Sequence, residues 1–215
     1  MLALWATVAV FNGDFRTAFL ALIVTTFIDA TDGVLARALR VKERLPHYDG
    51  ARLDDIVDYL TYVFVPVLVF VRADMLPDAW KAPVAAAVLL ASAYGFGQAE
   101  AKVQTTDHFF TGFPSYWNIM AIYLFVWRLS PMTNAIVLLV LSLLVFVPIR
   151  YVYPSRTTTL KIPTLALGSI WAALVVLMVW RLPATDGPWM PLSLVFPVYY
   201  FGLSLWLNGN SSLNS

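Results

Sequence analysis

Apolar residues in this chain come in long blocks, parted by short polar breaks that carry many of its Pro and Gly residues. The blocks and breaks predict eight helices, near Leu2–Phe11, Thr17–Leu39, Ala51–Val71, Ala79–Gly97, Ser115–Leu129, Asn134–Tyr151, Pro163–Leu182 and Trp189–Leu207. Irregular backbone cannot face hydrocarbon, so such segments should be helical throughout. A transmembrane barrel would instead alternate apolar and polar residues over strands of about ten residues, and no segment does so. No internal repeat is visible, and Asn208–Ser215 reads as a short disordered end. The expectation is an all-α, polytopic transmembrane bundle forming a single domain over residues 1–215.

Composition turns that expectation into a membrane assignment. Of the 215 residues, 60% are hydrophobic and 13% charged, and the mean hydropathy is +0.73. A soluble domain is about 45–50% apolar and about 25% charged. No stretch of ordinary polar composition is long enough to bury a core of its own. The absence of cysteine excludes disulfides, thiolate metal sites and cysteine nucleophiles. The first apolar run, Met1–Phe11, is shorter than the roughly 20 residues that cross a bilayer. It lacks a basic leader and a small-residue cleavage site, so it is not read as a signal peptide. A longer start would complete a first span.

Net charge, +1, says little, but its distribution orients the chain. One set of loops holds nine bases: Arg37, Arg40, Lys42, Arg44, Arg52, Lys102, Arg150, Arg156 and Lys161. The other holds five: Arg16, Arg72, Lys81, Arg128 and Arg181. The positive-inside rule puts the first set, and with it both termini, in the cytoplasm. The basic run Arg40–Arg44 reads most simply as a surface for anionic lipid headgroups.

Against this background four aspartates are out of place. Asp29, Asp32, Asp54 and Asp58 lie inside or at the ends of two strongly apolar stretches, where a carboxylate costs several kcal/mol unless it faces a cavity, a partner or a metal. On a helix, Asp29, Asp32, Gly33, Ala36 and Arg37 share one stripe. Gly50, Asp54 and Asp58 follow the i, i+4, i+8 spacing of a single ridge, with Asp55 about 100° away. Two facing helices would therefore aim carboxylates at each other, and like charges that close remain ionised together only around a cation. Oxygen donors without His or Cys select hard ions, Mg²⁺ or Mn²⁺. Gly33 and Ala36 leave the helix face bare for a bulky ligand, and Arg37 offers a planar fork suited to phosphate. These are the parts of phosphoryl transfer, where catalysis is mainly positioning and charge neutralisation. The bland alternative, buried ion pairs that lock helices together, is short of bases: Arg37 and Arg52 cannot balance four or five acids.

The pattern Asp29-x2-Asp32-Gly33-x2-Ala36-Arg37, then Gly50-x3-Asp54-x3-Asp58, resembles the signature of the CDP-alcohol phosphatidyltransferases. Twelve residues separate Arg37 from Gly50, a longer gap than in most of that family and similar to its bacterial phosphatidylcholine synthase branch. The stretch Asp107–Asn118 and the eight-helix count are similar to that branch as well. The resemblance implies transfer of the phosphatidyl group of CDP-diacylglycerol to choline with release of CMP, by a homodimer in the bacterial inner membrane whose site faces the cytoplasm. It implies that Asp29, Asp32, Asp54 and Asp58 hold Mn²⁺ or Mg²⁺, and that Asp58 is the catalytic general base. Asp29, Gly33, Ala36, Arg37 and Gly50 would line the CDP-diacylglycerol site. Membrane lipids are the remaining partners, and nothing implies nucleic acid.

Choline carries no N–H donor, so aromatic faces and a nearby anion hold it best. The segment between the fourth and fifth helices supplies both, and Glu100, Asp107, Phe113, Tyr116 and Trp117 are the choline-binding candidates. It contains one base, Lys102, whereas an acceptor with its own phosphate would need a basic cluster. Tyr and Trp also gather at membrane interfaces as anchors, so any one of these aromatics has a structural reading too. His108 is a candidate phosphate contact, His47 reads as solvated, and Asn118 fits helix packing and acceptor binding equally. Two alternatives stand beside this reading. One is a phosphatidylserine or phosphatidylglycerophosphate synthase of the same family. The other is a carboxylate-based transporter, which would more commonly show inverted repeats and broken helices at the bilayer midplane.

Overall fold

The structure, a computed structural model, describes residues 1–98, 109–152 and 160–211. They form two compact units, Met1–Ala93 with Ser115–Leu139, and Tyr94–Pro114 with Val140–Ser215.

In the first unit α1 (Leu2–Phe11) and α2 (Phe15–Ala38) make an antiparallel hairpin. Gly13, in the left-handed region at φ +74°, closes α1, and the N–H of Asp14 reaches back to the Ala9 carbonyl at 2.9 Å. Asp14 then caps α2 by accepting the Thr17 N–H at 3.0 Å. That bonding to Thr17 holds the Asp14 carboxyl below the usual carboxylate range. Small residues line the hairpin: Ala6 and Ala9 on one side, Ala18 and Ala21 on the other, all buried. They let the two backbones approach closely, the usual solution where lipid tails offer no hydrophobic drive. With 24 residues, α2 exceeds the roughly 20 that span a hydrocarbon core. Its buried residues, Ala18, Phe19, Ala21 and Leu22, all lie in its first half.

A short helix α3 (Val41–Arg44) leads to α4 (Gly50–Asp58), which Asp49 caps by accepting the Arg52 N–H at 3.1 Å. The expected third helix, Ala51–Val71, is continuous but not uniform. After α4 comes a π-helical turn, Tyr59–Phe64, and then α5 (Val65–Arg72). Pro66 explains the wide turn: it has no N–H for the Tyr62 carbonyl and its ring crowds that oxygen. The Val65 N–H accordingly bonds the Leu60 carbonyl, one residue further back than in an α-helix. α5 is the buried part, through Val65, Val67, Val69 and Phe70, whereas α4 buries nothing.

Next come α6 (Lys81–Gly97), α7 (Trp117–Trp127) and α8 (Pro131–Leu144). α7 packs on α2, on α5 and on the π turn, with Phe125 against Phe15 and Phe19 at ring distances of 5.2 and 5.3 Å. Long-range side-chain bonds tie the unit: Tyr59 to the Leu89 carbonyl at 2.9 Å, Asn118 to Thr26 and Asn134 to the Met75 carbonyl, both at 3.0 Å.

The second unit holds a two-stranded antiparallel ribbon, β1 (Phe109–Thr111) with β2 (Arg150–Val152), and helices α9 (Lys161–Trp180), α10 (Trp189–Ser193) and α11 (Val195–Ser211). Tyr151 packs with Tyr200 and Leu203 of α11. Gly112, at φ +84°, runs so close to the Val145 carbonyl that a Cβ would lie 2.5 Å from it. Only glycine fits there.

The helical, polytopic membrane architecture is as expected, with corrections that include the short ribbon. Among the described residues, four helical stretches are long and apolar enough to cross a membrane: Phe15–Ala38, Asp78–Gly97, Lys161–Trp180 and Trp189–Leu207. Phe27, Leu90, Ile162 and Val198 stand at least 70% exposed, acceptable only where lipid is the solvent. The expected helix Asn134–Tyr151 stops at Leu144, since Pro148 cannot continue it and the β-branched run around it favours the ribbon. The last expected helix breaks at Leu194, where Pro197 has no N–H for the Ser193 carbonyl. It then runs on to Ser211, so the start of the expected disordered end is helical.

Candidate active site

The exposed half of α2 and one ridge of α4 meet through their carboxylates. Asp29, Asp54 and Asp58 each offer an oxygen, and these atoms all lie within 4.8 Å of one another. Asp54 and Asp58 come from successive turns of α4, and Asp29 comes across from α2, as the ridge-on-stripe reading requires. All three are half-buried. At an effective dielectric of about 20, two charges this close repel by about 3 kcal/mol, so the arrangement favours a cation among them. Its donors are hard oxygens, and three of them within 4.8 Å of one another can close on a single Mg²⁺ or Mn²⁺. The residues fit such an ion.

The rest of the motif surrounds this trio without entering it. Asp32, one turn beyond Asp29, is exposed and outside the group of three. Arg37 folds back along α2, its guanidinium 3.4 Å from where a Gly33 Cβ would be. Ala36 is exposed beside it, leaving the face open. Gly50 opens α4 with nothing within 4 Å of a built Cβ, so its smallness serves no packing need among the described residues.

The acceptor candidates separate. Trp117, a choline-binding candidate, is fully buried, and its indole N–H donates to Ser92 Oγ at 2.7 Å. Tyr116, its neighbour, is exposed and lies against Tyr62, with ring centroids 6.0 Å apart. Phe113 is buried in the second unit. Glu100, Asp107 and His108 lie outside the described residues. Asn118 takes its packing reading, since its amide donates to Thr26 Oγ1 across α7 and α2.

Sequence reasoning missed Tyr62. Its hydroxyl donates to Asp29 Oδ2 at 2.8 Å, from a position 7% exposed. A signal was present, because Tyr62 continues the Asp54, Asp58 spacing by one further step of four.

The fold and site define a multi-pass helical membrane protein with acids from two helices brought together. Comparison with known proteins narrows this. Over 212 residues the chain is 40% identical to a phosphatidylcholine synthase of Legionella bozemanae, covering 95% of this chain and 97% of that one. It is 39% identical over 204 residues to the phosphatidylcholine synthase of Legionella pneumophila, covering 92% and 79%. A phosphatidylcholine synthase of Pseudomonas aeruginosa is 33% identical over 210 residues, covering 96% and 86%. No protein-family model matches the chain. The chain belongs to the phosphatidylcholine synthase family.

Proposed function

We propose that this protein transfers the phosphatidyl group of CDP-diacylglycerol to choline and releases CMP. The observation that carries the reading is the meeting of Asp29, Asp54 and Asp58 within 4.8 Å, in a chain of this family. Those three acids, with Asp32 on the next turn of α2, would hold Mn²⁺ or Mg²⁺. The ion would neutralise the diphosphate and the charge that develops on it during transfer.

The chain's own residues supply the remainder. Asp58 takes the proton from the choline hydroxyl, and that oxygen attacks the phosphorus bearing diacylglycerol. The bond from this phosphorus to the CMP oxygen breaks, so CMP leaves and phosphatidylcholine stays in the lipid. Arg37 offers two parallel N–H donors to the diphosphate, and the bare face at Gly33 and Ala36 lets the nucleotide lie on the α2 backbone. Tyr116, with its exposed ring beside Tyr62, is the remaining described candidate that can present an aromatic face to trimethylammonium. In this reading the donor enters sideways from the bilayer and choline arrives from the cytoplasm. The enzyme works as a homodimer in the bacterial inner membrane, with its site on the cytoplasmic side.

The test is CMP release by purified protein given CDP-diacylglycerol, Mn²⁺ and one alcohol at a time. Choline should be turned over fastest. Faster turnover with serine or glycerol phosphate would transfer the assignment to a sister synthase.

A further inference from the structure

Tyr62 stands outside the eight motif positions, yet its side chain reaches the acid trio. Its hydroxyl donates to Asp29 Oδ2 at 2.8 Å, a charge-assisted bond of the stronger kind. Rotation about the terminal bond of an aspartate is broad and nearly free. A buried phenol bonded to one oxygen removes that freedom and leaves the carboxylate one orientation in which to meet Asp54 and Asp58.

The phenol is itself held. Its ring is 7% exposed, in the π turn next to α4, and Tyr116 packs on it at 6.0 Å with the planes tilted by 53°. One turn before Asp29, Thr26 is fixed from both sides: it donates to the Leu22 carbonyl and accepts from the Asn118 amide, each at 3.0 Å. The Asn118 oxygen is in turn engaged by the Ile119 N–H at 2.9 Å. Three elements, α2, the π turn and α7, thus converge on the setting of a single carboxylate.

We propose that Tyr62 is a positioning residue for the cation site, acting through Asp29. The inference rests on the metal reading of the trio. Hydrogen-bond partners that orient a ligating group typically alter metal affinity by 10–100-fold when removed. Mn²⁺ binding to the purified, detergent-solubilised protein, followed by electron paramagnetic resonance without substrates, measures this directly. Tyr62→Phe keeps the ring and deletes the donor. Its dissociation constant for Mn²⁺ should rise about tenfold or more, with the unfolding temperature kept and the KM for choline at saturating Mn²⁺ unchanged. Tyr116→Leu, at an exposed position, should weaken Mn²⁺ by a smaller factor and keeps the test open if Tyr62→Phe fails to fold. Wild-type affinity in the variants would overturn the positioning role alone. Failure of the wild type to bind Mn²⁺ would overturn it together with the metal reading.

Discussion

Two groups of acids in the first unit invite comparison. Asp74 and Asp78 lie at the turn between α5 and α6, and both meet the Lys81 ammonium at 2.7 Å. All three come from one short stretch of chain, and the two acids are almost fully exposed. Asp29, Asp54 and Asp58 come from helices far apart in sequence, are half-buried, and converge on one another. The first group is local charge pairing in water, the sort that contributes little to stability. The second takes two helices to assemble and sets like charges together, which folding alone gives no reason to do. A cluster that costs stability and needs long-range structure points to a ligand; a cluster neutralised by its own neighbour does not.

The comparison breaks most readily at Asp58. Asp58→Asn keeps the shape and removes the base, so CMP release should fall by about 10²–10⁴-fold with the unfolding temperature maintained. Near wild-type turnover would take the proton-transfer role from Asp58. A smaller effect separates the two groups as cation sites. Protein stripped with a chelator should gain unfolding temperature on titration with Mn²⁺, by mass action. Asp54→Asn should lose most of that gain and Asp74→Asn none; equal losses would erase the distinction.

The smallest effect is one of pH. The Lys81 hydrogen bond lowers the Asp74 carboxyl below its ordinary 3.8. A carboxyl lowered in the folded state adds stability that is fully present above the unfolded value and is lost as pH falls through the folded one. Unfolding temperature should therefore owe nothing to this pair's titration between pH 7 and 5 and decline only in acid below about 4. Lys81→Met should flatten that acid decline without changing turnover.

Much of the site was legible because its information is local. Asp54 and Asp58 share a ridge through four-residue spacing, and Asp29 with Arg37 shares a stripe; regular helices preserve both relations. What could not be read depends on contacts between segments distant in sequence. The Tyr62–Asp29 bond joins residues 33 apart. The Trp117 indole meets Ser92 from 25 residues away. The helix pattern held where apolar blocks were uninterrupted and failed at Pro148 and Pro197, where missing N–H groups redirect the backbone.

The π turn at Tyr59–Phe64 has a consequence for how this helix tolerates change. A residue inserted into or removed from a regular helix rotates everything beyond it by about 100°. On one side of this turn lie Asp54 and Asp58, and on the other the buried face of α5. The wide turn therefore acts as a phase adjustment between them.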